Sequence, residues 1–262
     1  MSNIVVLVKQ VPDTYSERQL TEDDYTVDRE STDQVLDEIN ENAVEAALQL
    51  KEAGGDYTVT ALTVGPESAK EALRKALSLG CDEAIHVCDD ALAGSDVLGT
   101  AWTLSQALNL VDDIELIICG SESTDGNMGT VPGLISEYRQ IPAVTGLRSF
   151  SVENGTVTGE SAREEGVYSL EAPTPAIISV TEKANEPRFA AFKGIMAAKK
   201  KKIQQVDLED IGVDAANVGL ENAATSVTGY APKPEKSAGE IITDEGDGGT
   251  KFVEFLANEK LI

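Results

Sequence analysis

The residues best equipped for binding chemistry lie in one loop. Gly120-Ser121-Glu122-Ser123-Thr124-Asp125-Gly126-Asn127-Met128-Gly129-Thr130-Val131-Pro132 follows an apolar run, Glu115 to Cys119, and opens a helical pattern at Val131. Glycine lets a backbone approach a ligand closely and adopt positive φ, and Gly120, Gly126 and Gly129 punctuate the loop. The amides of a helix's first turn, at the positive end of its dipole, suit a phosphate. Pro132 fits that turn because its missing N–H has no helical partner to lose. The loop matches neither the Walker spacing nor GxGxxG, and an ordinary strand-to-helix connection can have this composition. Asp125 carries a carboxylate, so its expected contact is a hydroxyl or a main-chain amide rather than an anion.

A second constellation runs from Ala184 through Asn185-Glu186-Pro187-Arg188-Phe189-Ala190-Ala191-Phe192-Lys193-Gly194-Ile195-Met196 to Lys199-Lys200-Lys201-Lys202. Four consecutive lysines beside two aromatics run against a chain of 46 Asp+Glu, 21 Lys+Arg and formal net charge -25. Pro187 and Gly194 predict that no continuous helix or strand crosses the segment. It reads either as a solvated loop leading into a strand or as a protruding loop, apolar at its tip and basic at its base, that docks a partner protein.

Conventional catalysis finds little footing. The single histidine, His86, sits in Ala84-Ile85-His86-Val87-Cys88 and reads as a packed strand-end residue. A histidine-based nucleophile system would need a partner that the sequence does not offer. Acidic pairs such as Asp89-Asp90 and Asp112-Asp113 read as loop or cap residues. Cys81, Cys88 and Cys119 show neither metal spacing nor a CxxC pair, which favours reduced, packed thiols. No general acid, base, nucleophile or metal ligand is assigned.

Composition narrows the classes. At 262 residues and 41% hydrophobic, with aromatics at 5%, the chain suits one generous α/β domain with a Val, Ile, Leu and Ala core. The spread of carboxylates suggests a halophilic source and argues against a nucleic-acid partner. No apolar run approaches the ~20 residues of a membrane span, and no leader pattern opens the chain, so a cytoplasmic protein without membrane insertion is expected.

Elements to hold these loops follow from periodicity. Ile4 to Val8, Tyr57 to Val64, Glu83 to Val87 and Glu115 to Cys119 read as buried strands, with another around Ala143. Ala43 to Leu50, Ala69 to Leu77, Val97 to Leu110 and Val131 to Gln140 read as helices, and Gly80 closes the second. Such alternation implies right-handed crossovers and a doubly wound, mostly parallel sheet. A ligand then lies outside the carboxyl ends of the strands, which singles out the loops after Val8, Val64 and Cys119. Beyond Arg148, Ser149 to Val152, Thr156 to Ser161 and Val167 to Leu170 alternate around Asn154-Gly155 and Glu165-Gly166 as hairpins, before a strand at Ile177 to Val180. The expected organisation is an α/β domain over 1–206, with hairpins at about 146–180 and the docking loop at about 181–202. A C-terminal arm over 207–262, with an amphipathic piece from Phe252 to Leu256, would lie on a partner chain.

The motif Asn-Glu-Pro-Arg-aromatic followed by Gly-Ile-Met-Ala-Ala-Lys-Lys-Lys-Lys resembles the signature of the electron transfer flavoprotein beta subunit, and the resemblance extends from Ile4 to about Lys202. It implies a Rossmann-like fold of the adenine-nucleotide-binding type and a dehydrogenase-recognition loop made by Asn185, Glu186, Pro187, Arg188, Phe189, Phe192, Ile195, Met196, Lys199 and Lys200. Phe192 takes the position of the apolar anchor. The glycine-rich loop resembles the family's Gly-…-Asp-Gly-Asp-Thr-Gly-Gln nucleotide loop: Gly120, Asp125, Gly126 and Gly129 keep it, while Asn127 and Met128 replace Asp-Thr. Nucleotide contacts are thereby implied along Gly120, Ser123, Thr124, Asp125, Gly126, Asn127, Met128, Gly129, Thr130 and Val131. Val8-Lys9-Gln10-Val11-Pro12-Asp13 resembles the opening Val-Lys-x-Val-Pro-Asp, which sets Leu7, Val8 and Lys9 against an adenine, with Val64 as another wall. In place of the family's Asn-Pro-aromatic this chain has Asp37-Glu38-Ile39-Asn40, so Asp37 and Ile39 stand at the expected contact positions, beside Asn40.

The implied occupant is a non-catalytic AMP, or a second FAD as in members that split electron pairs. The redox FAD would be shared with an alpha subunit in a heterodimer. Electrons would pass from acyl-CoA or similar dehydrogenases towards a quinone oxidoreductase, making the chain a carrier subunit rather than an enzyme. A nucleotide-binding regulator similar to universal stress proteins is the alternative.

Overall fold

Alternating apolar side chains assign the two faces of one sheet. The computed structural model describes residues 2–234, 239, 241 and 243–262. In β1 (Ser2–Leu7), Ile4 and Val6 enter one core while Val5 and Leu7 enter the other, as a period of two requires. β4 (Tyr57–Val64) and β5 (Glu83–Val87) extend the sheet to one side of β1; β6 (Ile114–Gly120) and β10 (Ala176–Val180) extend it to the other. The register pairs are parallel throughout these strands. α1 (Glu38–Glu52) and α2 (Lys70–Leu79) cover the first face through Ala43, Val44, Ala47, Leu73 and Ala76. α3 (Val97–Ala107) and α4 (Val131–Arg139) cover the second through Ala101, Leu104, Ala107 and Ile135. Gly80 ends α2 at φ 139°, a conformation that side chains disfavour.

β7 (Ala143–Glu153) runs parallel to β10 and then leaves the layer as a meander with β8 (Thr156–Arg163) and β9 (Gly166–Pro173), both antiparallel. Asn154 (φ 52°) and Gly155 (φ 74°) make its first turn, the pair of positive φ values that matches hairpin twist. β11 (Gln204–Val206) adds the far edge beside β5, completing nine strands in the order β11-β5-β4-β1-β6-β10-β7-β8-β9. The architecture is therefore the expected mostly parallel α/β sheet. β2 (Gln10–Pro12) and β3 (Gln34–Leu36) form a separate antiparallel pair that sequence periodicity does not disclose.

Two segments refine the expectations. A short helix, α5 (Phe192–Ala198), does cross Gly194. A Cβ on Gly194 would lie 2.4 Å from the Ser78 carbonyl oxygen, so close packing on α2 outweighs glycine's helix penalty of about 1 kcal/mol. Past Val206 the chain stays packed, with Leu208, Ile211, Val213 and Val218 buried in the second core, and the compact unit runs to Thr228. Gly229–Ile262 is a unit of its own, holding α6 (Gly248–Asn258) with Phe252, Val253 and Phe255 exposed. Of the expected arm, residues 235–238, 240 and 242 lie outside the described residues. Among the described residues no helix is long and apolar enough to cross a membrane.

Candidate functional site

The chain leaves β1 for β4 on one side and later returns to β6 on the other, so the winding reverses beside β1. A doubly wound sheet offers its ligand cleft there, outside the carboxyl ends of the strands. A cavity of about 250 Å³ occupies that place. Leu7, Val8 and Lys9 from the end of β1, Val64 from β4 and Cys119 and Gly120 from β6 line it. The loop adds Ser123, Gly126, Met128 and Gly129, α4 adds Val131, and α1 adds Asn40. The N-terminal side of α3 supplies a wall absent from the sequence-based set: Ser95, Asp96, Val97, Thr100 and Leu104. Ser121, Glu122 and Pro132 also face the cavity. Asp96, which stands before an apolar periodic run, is the kind of signal that marks a helix start and could have indicated that wall.

Other expected residues build the loop rather than line the cavity. The Asp37 carboxylate is fully buried, and its Oδ1 accepts from Ile39 N (3.0 Å) and Asn40 N (3.2 Å) to cap α1. Its Oδ2 accepts from Thr124 N (2.7 Å) and Thr124 Oγ1 (2.8 Å), which ties the glycine-rich loop to that helix. Asp125 turns inward: Lys9 Nζ donates to Oδ1 at 2.7 Å and Arg29 Nη2 stands 3.7 Å from Oδ2. Burial pushes the Asp125 carboxyl up, but Lys9, Ser123 and Arg29 together outweigh it and hold the group below the usual range. The Asn127 side chain folds back on the loop towards Ser123 O and Thr124 O, and its amide nitrogen can donate to both once the amide is turned over. Thr130 is the N-cap residue of α4, and Ile39 lies beside Gly120.

These contacts hold the Asp37, Thr124 and Asp125 side chains inside the loop. Asn127 (φ 50°) and Gly129 (φ 62°) turn the loop towards α4, whose N-cap Thr130 makes no side-chain cap bond. The first intrahelical bond there is Leu134 N to Thr130 O at 3.1 Å, so the amides of Val131 and Gly133 precede it. Asn40 Oδ1 accepts from Lys9 N at 2.7 Å and holds the β1 exit open. A Cβ at Gly120 would meet Asn40 Nδ2 at 2.6 Å and Ile39 Cγ2 at 3.0 Å, so any larger residue there would have to displace the Asn40 side chain. Leu7, Val8, Val64 and Leu104 give the cavity apolar walls, and the start of α4 lies at one end, where first-turn amides suit an anion. Asp96 and Glu122 add negative charge at the rim. Asp96 is committed, accepting from Leu98, Gly99, Ala224 and Thr225 amides at 2.9–3.2 Å.

The second constellation divides into a base and a tip. Asn185 and Asn42 exchange hydrogen bonds, Asn42 Nδ2 to Asn185 O (2.8 Å) and Asn185 Nδ2 to Asn42 O (3.0 Å). Arg188 forks onto Glu45 (Nε to Oε2, 2.6 Å) and Glu52 (Nη2 to Oε2, 2.9 Å) on α1. Burial raises the Glu45 carboxyl, yet the bonds from Arg188 and Gln49 leave it below its ordinary value; Arg188 lowers Glu52 as well. Arg74 Nη1 donates to Ala198 O at 2.8 Å and secures the end of α5. Pro187 is half-buried, whereas Phe189 (95% exposed), Phe192 (78%), Ile195 and Met196 stand in solvent beside exposed Glu186, Lys199 and Lys200.

Known proteins share this plan. An electron transfer flavoprotein domain model matches residues 24–211. The chain is 56% identical to the electron transfer flavoprotein subunit beta of Mycobacterium tuberculosis over 266 residues, covering 100% of both. It is 35% identical to the subunit beta of Megasphaera elsdenii, over 99% of this chain and 97% of that one. It is 32% identical to the caffeyl-CoA reductase-Etf complex subunit CarD of Acetobacterium woodii, over 92% and 91%. The halophilic source is not borne out: relatives at 56% identity are mycobacterial, and a net charge of -25 sets a surface charge density without naming a habitat. The universal-stress alternative is likewise not favoured. The chain belongs to the electron transfer flavoprotein family, among its beta subunits.

Proposed function

We propose that this chain pairs with an FAD-bearing alpha subunit, holds an adenylate as a structural element in the cavity beside β1, and docks an electron-donating dehydrogenase through the tip of α5. The cavity at the winding reversal carries the reading. It joins apolar walls to helix-start amides and offers no histidine or nucleophile among its lining side chains apart from Cys119 and small hydroxyls. Redox chemistry would come from the flavin of the pair, and this chain would bind, orient and exclude water. The Acetobacterium woodii relative, a subunit of a caffeyl-CoA reductase-Etf complex, supports a dehydrogenase-type partner. Acyl-CoA-type dehydrogenases are the proposed donors and a quinone oxidoreductase the acceptor.

The adenylate is common to AMP and to a second FAD, and one experiment separates them. Acid extraction of the purified heterodimer, followed by chromatography, should release one FAD and one AMP per pair. Two FAD and no AMP would assign the cavity to a second flavin. A single FAD with no second nucleotide would overturn the reading.

A further inference from the structure

β4 and β5 run side by side, so the turn after β4 comes to lie against the end of β5. Among the described residues Glu67, His86 and Cys88 form a group whose donor atoms all lie within 4.8 Å of one another. Sequence spacing hides this group, since Glu67 belongs to the turn after β4 while His86 and Cys88 belong to the end of β5. We propose that Glu67, His86 and Cys88 bind a divalent metal ion of the zinc class, with solvent in the fourth position.

Each side chain is prepared for that role. His86 is fully buried; its Nε2 stands 3.0 Å from the Gly65 carbonyl, and its Nδ1 has no hydrogen-bond partner among the described residues. A ring nitrogen that donates to a main-chain carbonyl fixes the tautomer and leaves a lone pair on the other, the arrangement common to metal-ligating histidines. Lys70 takes Glu67 Oε1, and Glu67 Oε2 faces Cys88 Sγ at 4.0 Å. Asp89 is committed to the amides of Ala91 (2.9 Å) and Leu208 (3.4 Å), which leaves the fourth position to water. One nitrogen, one sulfur and one carboxylate oxygen suit Zn²⁺ better than Mg²⁺ or Ca²⁺, which prefer oxygen alone. On binding, the thiol releases its proton to solvent and the thiolate takes the metal.

Zn²⁺ titrated into the full chain by calorimetry should fill one site. Cys88→Ser and Glu67→Gln, at half-buried and exposed positions that circular dichroism can check for folding, should each weaken it at least about tenfold, the loss that even an outer partner's removal causes. Co²⁺ should give a thiolate-to-metal charge-transfer band in the full chain and none in Cys88→Ser. Equal Zn²⁺ affinity in the full chain and both variants, no Zn²⁺ binding to the full chain, or a cobalt spectrum without the thiolate band would each overturn the site.

Discussion

The glycine-rich loop and the segment at α5 are both secured to α1, and by opposite means. The loop is tied at its middle by Asp37, and Lys9 and Asp125 neutralise each other under it, so its charged and polar centre is held internally and the start of α4 is left at the cavity. The α5 segment is tied to α1 before it by Asn185 and Arg188 and to α2 by the close fit of Gly194 and by Arg74, so the side chains that point away from α2 remain at the tip. One region therefore offers the start of α4 and the other offers exposed apolar side chains, which are what the proposed anion and the proposed protein partner would each require. The comparison teaches that loss of an anchor should alter both stability and binding, whereas loss of a tip residue should alter binding alone.

The sharpest way to break the comparison is at Asp37. Asp37→Ala removes an N-cap worth about 1 kcal/mol and a charged acceptor of the Thr124 amide worth about 1.5–3 kcal/mol. A loss of roughly 2–4 kcal/mol in urea unfolding is expected, together with loss of the second nucleotide from the purified heterodimer. Unchanged stability would show that the loop is held elsewhere.

Arg188 tests the other anchor. Arg188→Ala leaves Glu45, whose side chain is 7% exposed, as a nearly buried carboxylate without its cation, at an expected cost of about 1–3 kcal/mol. The pH dependence carries the signature. With Arg188 present, Glu45 and Glu52 have folded values below the ordinary 4.5, so their contribution is complete above that pH and fades as pH falls through the folded values. Without Arg188, burial dominates Glu45 and raises it, so protonation relieves the variant. Its deficit against the parent chain should be largest above about pH 5 and shrink towards about pH 3. A deficit that stays constant across that range would mean that Arg188 acts by packing.

What the sequence disclosed followed from where each element gets its shape. The bounds of β4 and β5 were legible because buried parallel strands are apolar runs stopped by turn residues, here Gly65-Pro66 after Val64. β2, β3 and β11, of three residues each, are defined by their partners and carry no period of their own. α5 was hidden because a glycine that breaks helices in isolation is the residue that fits against Ser78. In the cleft, strand ends and glycines were visible from topology rules. The inward turn of Asp125 was not: its partner Lys9 lies 116 positions away, and only the fold brings them together. The α3 wall shares that cause, since sheet order rather than chain proximity sets it beside β1.

The smallest effect on stability belongs to the tip, and it sharpens the comparison most. Phe192 begins α5 with 78% of its surface in solvent, so Phe192→Ala removes few contacts within the chain, and a change within about 0.5 kcal/mol is expected in urea unfolding. Binding should respond differently, because an exposed aromatic that becomes fully covered at an interface is the type of residue whose truncation costs about 2 kcal/mol or more. The neighbouring lysines contribute through charge, which salt screens within about 8 Å at physiological ionic strength. Stopped-flow reduction of the heterodimer by its dehydrogenase should therefore slow in Phe192→Ala at low and high salt alike, with flavin content unchanged. In Lys199→Ala/Lys200→Ala the rate should fall only at low salt. A Phe192→Ala heterodimer reduced at the parent rate would place the docking surface away from α5, and would leave the exposed Phe189, Ile195 and Met196 without the role assigned to them.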